Sequence, residues 1–167
     1  MKRLFLLRHA KAAPDDAGGD HARPLAARGR SDAPRMAAEI ARRGFVPEVI
    51  LCSTAQRTLE TLELVLPAFA VAPEVRMQDA LYHAEPEAIL MQVAEMADDV
   101  GAVMVIGHNP GLEMLVAALP QSAHGGRRGL DDFPTCAFAA FEIDAPAWPF
   151  AVIGDWTLLD RFAPADL

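Results

Sequence analysis

Three uninterrupted apolar runs, RLFLL at 3–7, EVILC at 48–52 and GAVMVI at 101–106, each give way at once to polar or ionisable residues. Nothing else in the chain limits its fold as much. An apolar run without polar alternation reads as a strand covered on both faces. Helical segments stand between the runs. Ser31 to Arg43 has helical composition, stops at Gly44, and accommodates Pro34 only in its first turn. Ser53 opens a second helix to about Leu66, with Ser53 and Gln56 in the pattern of a capping box. A short strand at 74–77 precedes an amphipathic helix at 85–97, and Asn109 as N-cap with Pro110 at the first helical position starts a helix reaching Leu119. Residues 121–132 read as a Gly- and charge-rich loop, and 135–143 and 150–159 as two strands joined by a Pro-rich turn. Strands and helices in alternation predict an α/β fold, a mostly parallel sheet with helices on both faces.

Composition bounds the function. The chain has 167 residues and a net charge of −8, enough for one domain over 1–167 and the wrong sign for a partner with a phosphate backbone, so nucleic acid is not expected. Uncharged stretches such as Val65–Pro73 and Gly101–Leu112 are too short for a bilayer span of about 20 residues, so no membrane partner is expected either. Leu4–Leu7 falls short of the roughly 7–15 apolar residues of an export signal. Two cysteines, Cys52 and Cys136, make no disulfide framework, and a cytoplasmic location follows. The sequence carries no signal for an oligomeric state.

In parallel sheets the ligand site lies beyond the carboxyl ends of the strands. The three apolar runs deliver Arg8 and His9, Ser53 to Arg57, and Gly107 to Asn109 to that rim. A guanidinium there needs a matching anion, because Arg does not shed its proton. Two such forks beside a helix N-terminus would make a phosphate site. Taken singly, Arg8 could instead pair with Glu113, and Arg57 with Glu60 or Glu63. His9 and His108 stand beside these arginines, whose charge favours neutral imidazoles, and a neutral imidazole can attack phosphorus. His21, His83 and His124 read as ordinary loop or core residues.

Rival chemistries lack their residues. The histidines lie among cations and no HxxxH or CxxC is present, so no metal is expected. A cysteine-phosphatase loop needs five residues between Cys and Arg, whereas only Ser53, Thr54, Ala55 and Gln56 separate Cys52 from Arg57. Neither G-x-S-x-G nor a P-loop occurs.

Leu-Leu-Arg8-His9-Ala-Lys, Ser53-Thr-Ala-Gln-Arg57-Thr and Gly107-His108-Asn109-Pro110, in this order, resemble the histidine phosphatase (phosphoglycerate-mutase-like) superfamily. The RHAK form, the Asp20-His-Ala-Arg23-Pro24-Leu25 segment and the short length resemble its SixA-type phosphohistidine phosphatase branch. The resemblance implies a three-layer α/β/α sandwich and a two-step hydrolysis with no metal or other cofactor. It makes His9 the nucleophile and assigns Arg8, Arg57 and His108 to the phosphoryl group. Relatives acting on alkoxide leaving groups carry a proton donor after the third strand, where Glu85 is the nearest candidate here. A carboxylate facing a helix dipole accounts for Glu85 more plainly. Asp20 and Arg23 are assigned to loop structure or the pocket rim.

The loops leave few residues for a lid, so the expected substrate is phosphohistidine on a partner protein. The alternatives are a small phosphorylated metabolite, cleaved by a phosphomonoesterase of the same superfamily, and a non-catalytic module that binds phosphoproteins. Arg127 and Arg128 are taken as a solvated pair rather than part of the pocket.

Overall fold

A computed structural model describes residues 1–14, 17–119 and 132–167. The 121–131 part of the loop reading, with His124, Arg127 and Arg128, lies outside the described residues. A six-stranded sheet is built from β1 (Lys2–Arg8), β2 (Val49–Ser53), β3 (Glu74–Gln78), β4 (Ala102–Gly107), β5 (Phe138–Ile143) and β6 (Thr157–Phe162), in the order β3-β2-β4-β1-β5-β6. The pairs β1–β4, β2–β4 and β2–β3 are parallel. β5 and β6 extend the sheet antiparallel on the other edge.

Within the unbroken apolar run of β1, successive side chains serve two cores. Leu4 and Leu6 pack with helices α3 (Pro86–Ala94), α4 (Gly111–Ala118) and α5 (Trp148–Ala151) on one face. Phe5 and Leu7 pack with α1 (Ala27–Arg42) and α2 (Gln56–Val65) on the other. The result is the expected three-layer α/β/α sandwich. Burial on both faces is why these strands show no polar alternation. Among the described residues, no helix is long and apolar enough to cross a membrane.

The local departures from expectation each have a tertiary cause. α1 begins at Ala27 rather than Ser31, so Pro34 lies inside the helix. The added turn is held by Lys11, whose carbonyl accepts from Ala26 N at 2.8 Å and whose backbone packs so closely on Gly29 that a Cβ there would collide. α2 begins at Gln56 with Ala55 at its cap, and Ser53 forms no capping box. Its hydroxyl is directed to His108, and Gln56 Nε2 bonds Glu60. α4 begins at Gly111, after a cis Asn109–Pro110 peptide, so Asn109 is not its cap. Asn109 Nδ2 instead donates to the carbonyl of Phe133 at 2.9 Å and to Glu113 at 3.1 Å. The 150–159 run is not one strand. Trp148–Ala151 is helical with Pro149 in its first turn, and β6 starts only at Thr157. Burial of Trp148, whose indole donates to Val100 O at 2.9 Å, overrides the strand-like composition.

Candidate active site

The register Arg8↔Gly107 between β1 and β4 places His9 and His108 side by side, one residue past the paired ends. His9 N donates to Gly107 O at 3.1 Å, and the two imidazole centroids lie 5.2 Å apart. β2, on the other side of β4, ends at Ser53 and delivers Arg57 from the first turn of α2. The four sequence-predicted residues Arg8, His9, Arg57 and His108 thus meet in one cleft of about 250 Å³. Asp20 and Arg23 are at its rim, where the sequence assigns them.

A carbonyl can only accept, so the 2.8 Å contact between His9 Nδ1 and Ala10 O puts the ring proton on Nδ1 and leaves a lone pair on Nε2. Burial, with the charges of Arg57, Arg8 and Arg23 behind it, pushes His9 down to about 4 against the opposing pull of the Ala10 bond. Burial also pushes His108 down to about 3, aided by His9 and Arg57. Both imidazoles are therefore neutral at pH 7. His108 Nε2 lies 2.8 Å from Ser53 Oγ, and its Nδ1 is buried without a partner among the described residues.

Arg8 Nη1 donates to Phe133 O at 3.0 Å, and Arg8 forms no ion pair among the described residues. The charge of Glu113 acts on Arg8 through space, while Glu113 Oε2 accepts from Asn109 Nδ2 and Phe133 N. Arg57 is paired with neither Glu60 nor Glu63. Its Nη1 donates to the carbonyl of Asp20 at 2.7 Å and its Nη2 to the Asp20 carboxylate at 3.1 Å. The Nε atoms of both arginines, like His108 Nδ1, are buried and have no hydrogen-bond partner among the described residues. Among the described residues, the cleft is lined by four cationic side chains, Arg8, Lys11, Arg23 and Arg57, and by one carboxylate, Asp20. A surplus of cationic donors beside a neutral nucleophilic nitrogen suits attack on a phosphoryl group.

Glu85 is exposed at the residue before α3 and does not line the cleft. Two neighbours do what the sequence did not suggest. His83 lines the cleft, and Ser53 orients His108. Ser53 ends a strand adjacent to β4, a hint that needs strand order to be read. Both cysteines are buried, and burial pushes their thiols up to about 12, which leaves no thiolate for catalysis. Among the described residues no group of His, Cys, Asp and Glu could hold a metal ion.

The profile of the histidine phosphatase superfamily, branch 1, matches residues 4–82. An uncharacterized protein of Mycobacterium tuberculosis is 30% identical, covering 82% of this chain and 87% of that one. A putative phosphohistidine phosphatase SixA from Agrobacterium tumefaciens is 32% identical, covers 98% of both chains and superposes with a TM-score of 0.80. A protein histidine phosphatase SixA solved with tungstate is 25% identical over 98% of both chains, also with a TM-score of 0.80. With its motifs at the strand ends and nearly all of its length matched by SixA structures, the chain belongs to the histidine phosphatase superfamily and is a phosphatase of the SixA type.

Proposed function

We propose that this chain hydrolyses the phosphoramidate bond of phosphohistidine on a partner protein through a phosphorylated His9. The carrying observation is the fixed tautomer of His9, whose Nδ1–H is held by Ala10 O so that Nε2 is free to attack among guanidiniums. Nε2 bonds to phosphorus, the bond from phosphorus to the departing nitrogen breaks, and that nitrogen keeps the electron pair and takes up a proton. Water then attacks the phosphorylated His9, releasing inorganic phosphate and regenerating the neutral ring. Arg8, Arg57 and His108 hold the phosphoryl oxygens, whose charge is spread in the transition state. No step calls for a metal.

A protein substrate is supported by a cleft lined by Arg8, Lys11, Arg23 and Arg57, at which Asp20 and His83 are both substantially exposed. It is further supported by the names of the relatives, phosphohistidine phosphatases, and by the binding of tungstate, a phosphate-shaped oxyanion, to one of them. Both cysteines are free thiols, in keeping with a cytoplasmic setting.

The test compares kcat/KM on a phosphorylated histidine-phosphotransfer domain with that on small phosphate esters, and traps the enzyme with radiolabelled phosphate. An acid-labile phosphoenzyme lost in His9→Ala, with preference for the phosphoprotein, is the expected result. A small ester cleaved as efficiently as the phosphoprotein overturns the substrate assignment. Phosphate binding without turnover overturns catalysis.

A further inference from the structure

We propose that His83 is the proton donor to the leaving group, positioned by Asp20. This rests on the phosphatase reading above and assigns a residue to the one proton transfer that reading leaves open.

His83 lines the cleft beside His108, with ring centroids 6.1 Å apart, and its ring lies tilted against that of Tyr82, centroids 4.1 Å apart. Its backbone has φ 52°, in the left-handed region that a side chain-bearing residue adopts at a cost. Two contacts hold it there. At the start of α4, Gly111 packs so tightly on the Ala84 carbonyl that any Cβ would collide with it. On the cleft side, Nε2 of His83 lies 3.4 Å from Asp20 Oδ2. Asp20 thereby orients the ring and supplies the counter-charge when it carries a proton.

Among the described lining residues Lys11 is the rival that the experiment below separates from His83, and the remaining groups are unsuited to the task. The hydroxyl of Tyr82, followed by Arg23 and Arg57, holds the Asp20 carboxyl well below the usual carboxylate range, so it has no proton to give. Tyr82 commits its own proton to Asp20 at 2.6 Å, and that bond raises its pKa. His9 and His108 are neutral, and arginine does not release protons. Glu85 is outside the cleft. Imidazole is the side chain best suited to both giving and taking a proton near neutrality.

The step balances. As His9 Nε2 bonds to phosphorus and the leaving group departs with its electron pair, the His83 imidazolium protonates the departing nitrogen or oxygen. The neutral His83 then takes a proton from the water that attacks the phosphorylated His9, and is ready for another cycle.

The experiment measures kcat/KM of the wild type, His83→Asn and Lys11→Gln with dinitrophenyl phosphate, phenyl phosphate and N-phosphoimidazole, with thermal unfolding as a check on folding. Asn tolerates the left-handed backbone. The expected loss in His83→Asn grows as the leaving group worsens, from less than about tenfold with dinitrophenyl phosphate to about 100-fold or more with phenyl phosphate. Added imidazole should restore His83→Gly with phenyl phosphate, a rescue that a structural role would not give. An even loss across leaving groups, or a leaving-group-dependent loss in Lys11→Gln instead, overturns the assignment to His83. Wild-type turnover that survives His9→Ala overturns the phosphatase reading itself, a result distinct from either.

Discussion

Asp20 reaches across the mouth of the cleft to Arg57, its main-chain carbonyl and its carboxylate accepting from the two ends of one guanidinium at 2.7 and 3.1 Å. The same carboxylate takes Arg23 Nη1 at 3.0 Å and the Tyr82 hydroxyl at 2.6 Å. An internal anion thus anchors a loop to Arg57, one of the residues proposed to hold the phosphoryl group. It also places a negative charge beside the position that a substrate dianion must occupy. Arg57 Nε has no partner among the described residues, so the pairing engages only part of the fork.

Asp20→Asn removes that charge while leaving an acceptor oxygen for Arg57. Oxyanion binding should therefore tighten, by about threefold to tenfold, the equivalent of roughly 1 kcal/mol of solvent-screened repulsion at an exposed site. Competitive inhibition by tungstate or inorganic phosphate measures this directly. Weaker inhibition in the variant would mean that Asp20 serves Arg57 chiefly by orienting it. By the His83 assignment, the same variant should lose turnover with poor leaving groups even as its anion affinity rises.

The depressed pKa values of His9, about 4, and His108, about 3, fix the sign of two pH effects. Because each folded pKa lies below the ordinary histidine value of about 6.5, the unfolded chain binds protons first as the solution is acidified. The associated stability is fully present above pH ~6.5 and is lost as pH falls toward about 4. For His9 the loss is on the order of 3 kcal/mol. Urea unfolding at pH 7 and pH 4.5 should show a smaller decline in His9→Gln than in the wild type. Nitrogen NMR should find the His9 ring neutral, with its proton on Nδ1, well below pH 6. A His9 that titrates near 6.5 would refute this picture.

Arg8, His9, Arg57 and His108 were legible because each follows an unbroken apolar run, and the carboxyl ends of parallel strands converge whatever their order. Asp20 was legible only as a rim residue. Its partnership with Arg57 depends on how the loop before α1 folds back, which the Ala12–Leu25 bridge and the Lys11–Gly29 contact decide. The role of Ser53 was hidden by a local pattern, since its spacing to Gln56 suits a capping box while β4 brings His108 within reach. His83 gave no signal at all: a positive φ and a close approach by Gly111 are tertiary facts. The misreading of 150–159 has the same origin, for two buried tryptophans shape that segment more than its strand propensity does.

Ser53→Ala tests the partnership with His108. Ser53 is wholly buried and its hydroxyl lies 2.8 Å from His108 Nε2, so removal leaves a buried imidazole nitrogen without a partner. The expected stability cost is about 1–3 kcal/mol. Turnover should fall as well, because a ring free to rotate no longer presents Nδ1 to the phosphoryl oxygens. Thermal unfolding and kcat/KM on dinitrophenyl phosphate check both. Unchanged kinetics in a destabilised variant would reduce Ser53 to a packing role.

Gly111→Ala tests whether the start of α4 holds the His83 segment in place. Alanine is a better helix former than glycine, so propensity alone predicts a gain of about 1 kcal/mol. The close approach to Ala84 predicts the opposite, since the new methyl group meets a backbone carbonyl that cannot swing aside. Overpacking of this kind costs about 1–3 kcal/mol, so the steric effect should prevail and the variant should be less stable. Displacement of Ala84 carries His83 with it, so activity should fall further on phenyl phosphate than on dinitrophenyl phosphate, in the same sense as His83→Asn. A more stable Gly111→Ala protein with wild-type dependence on the leaving group would show that this contact sets neither the loop nor the ring.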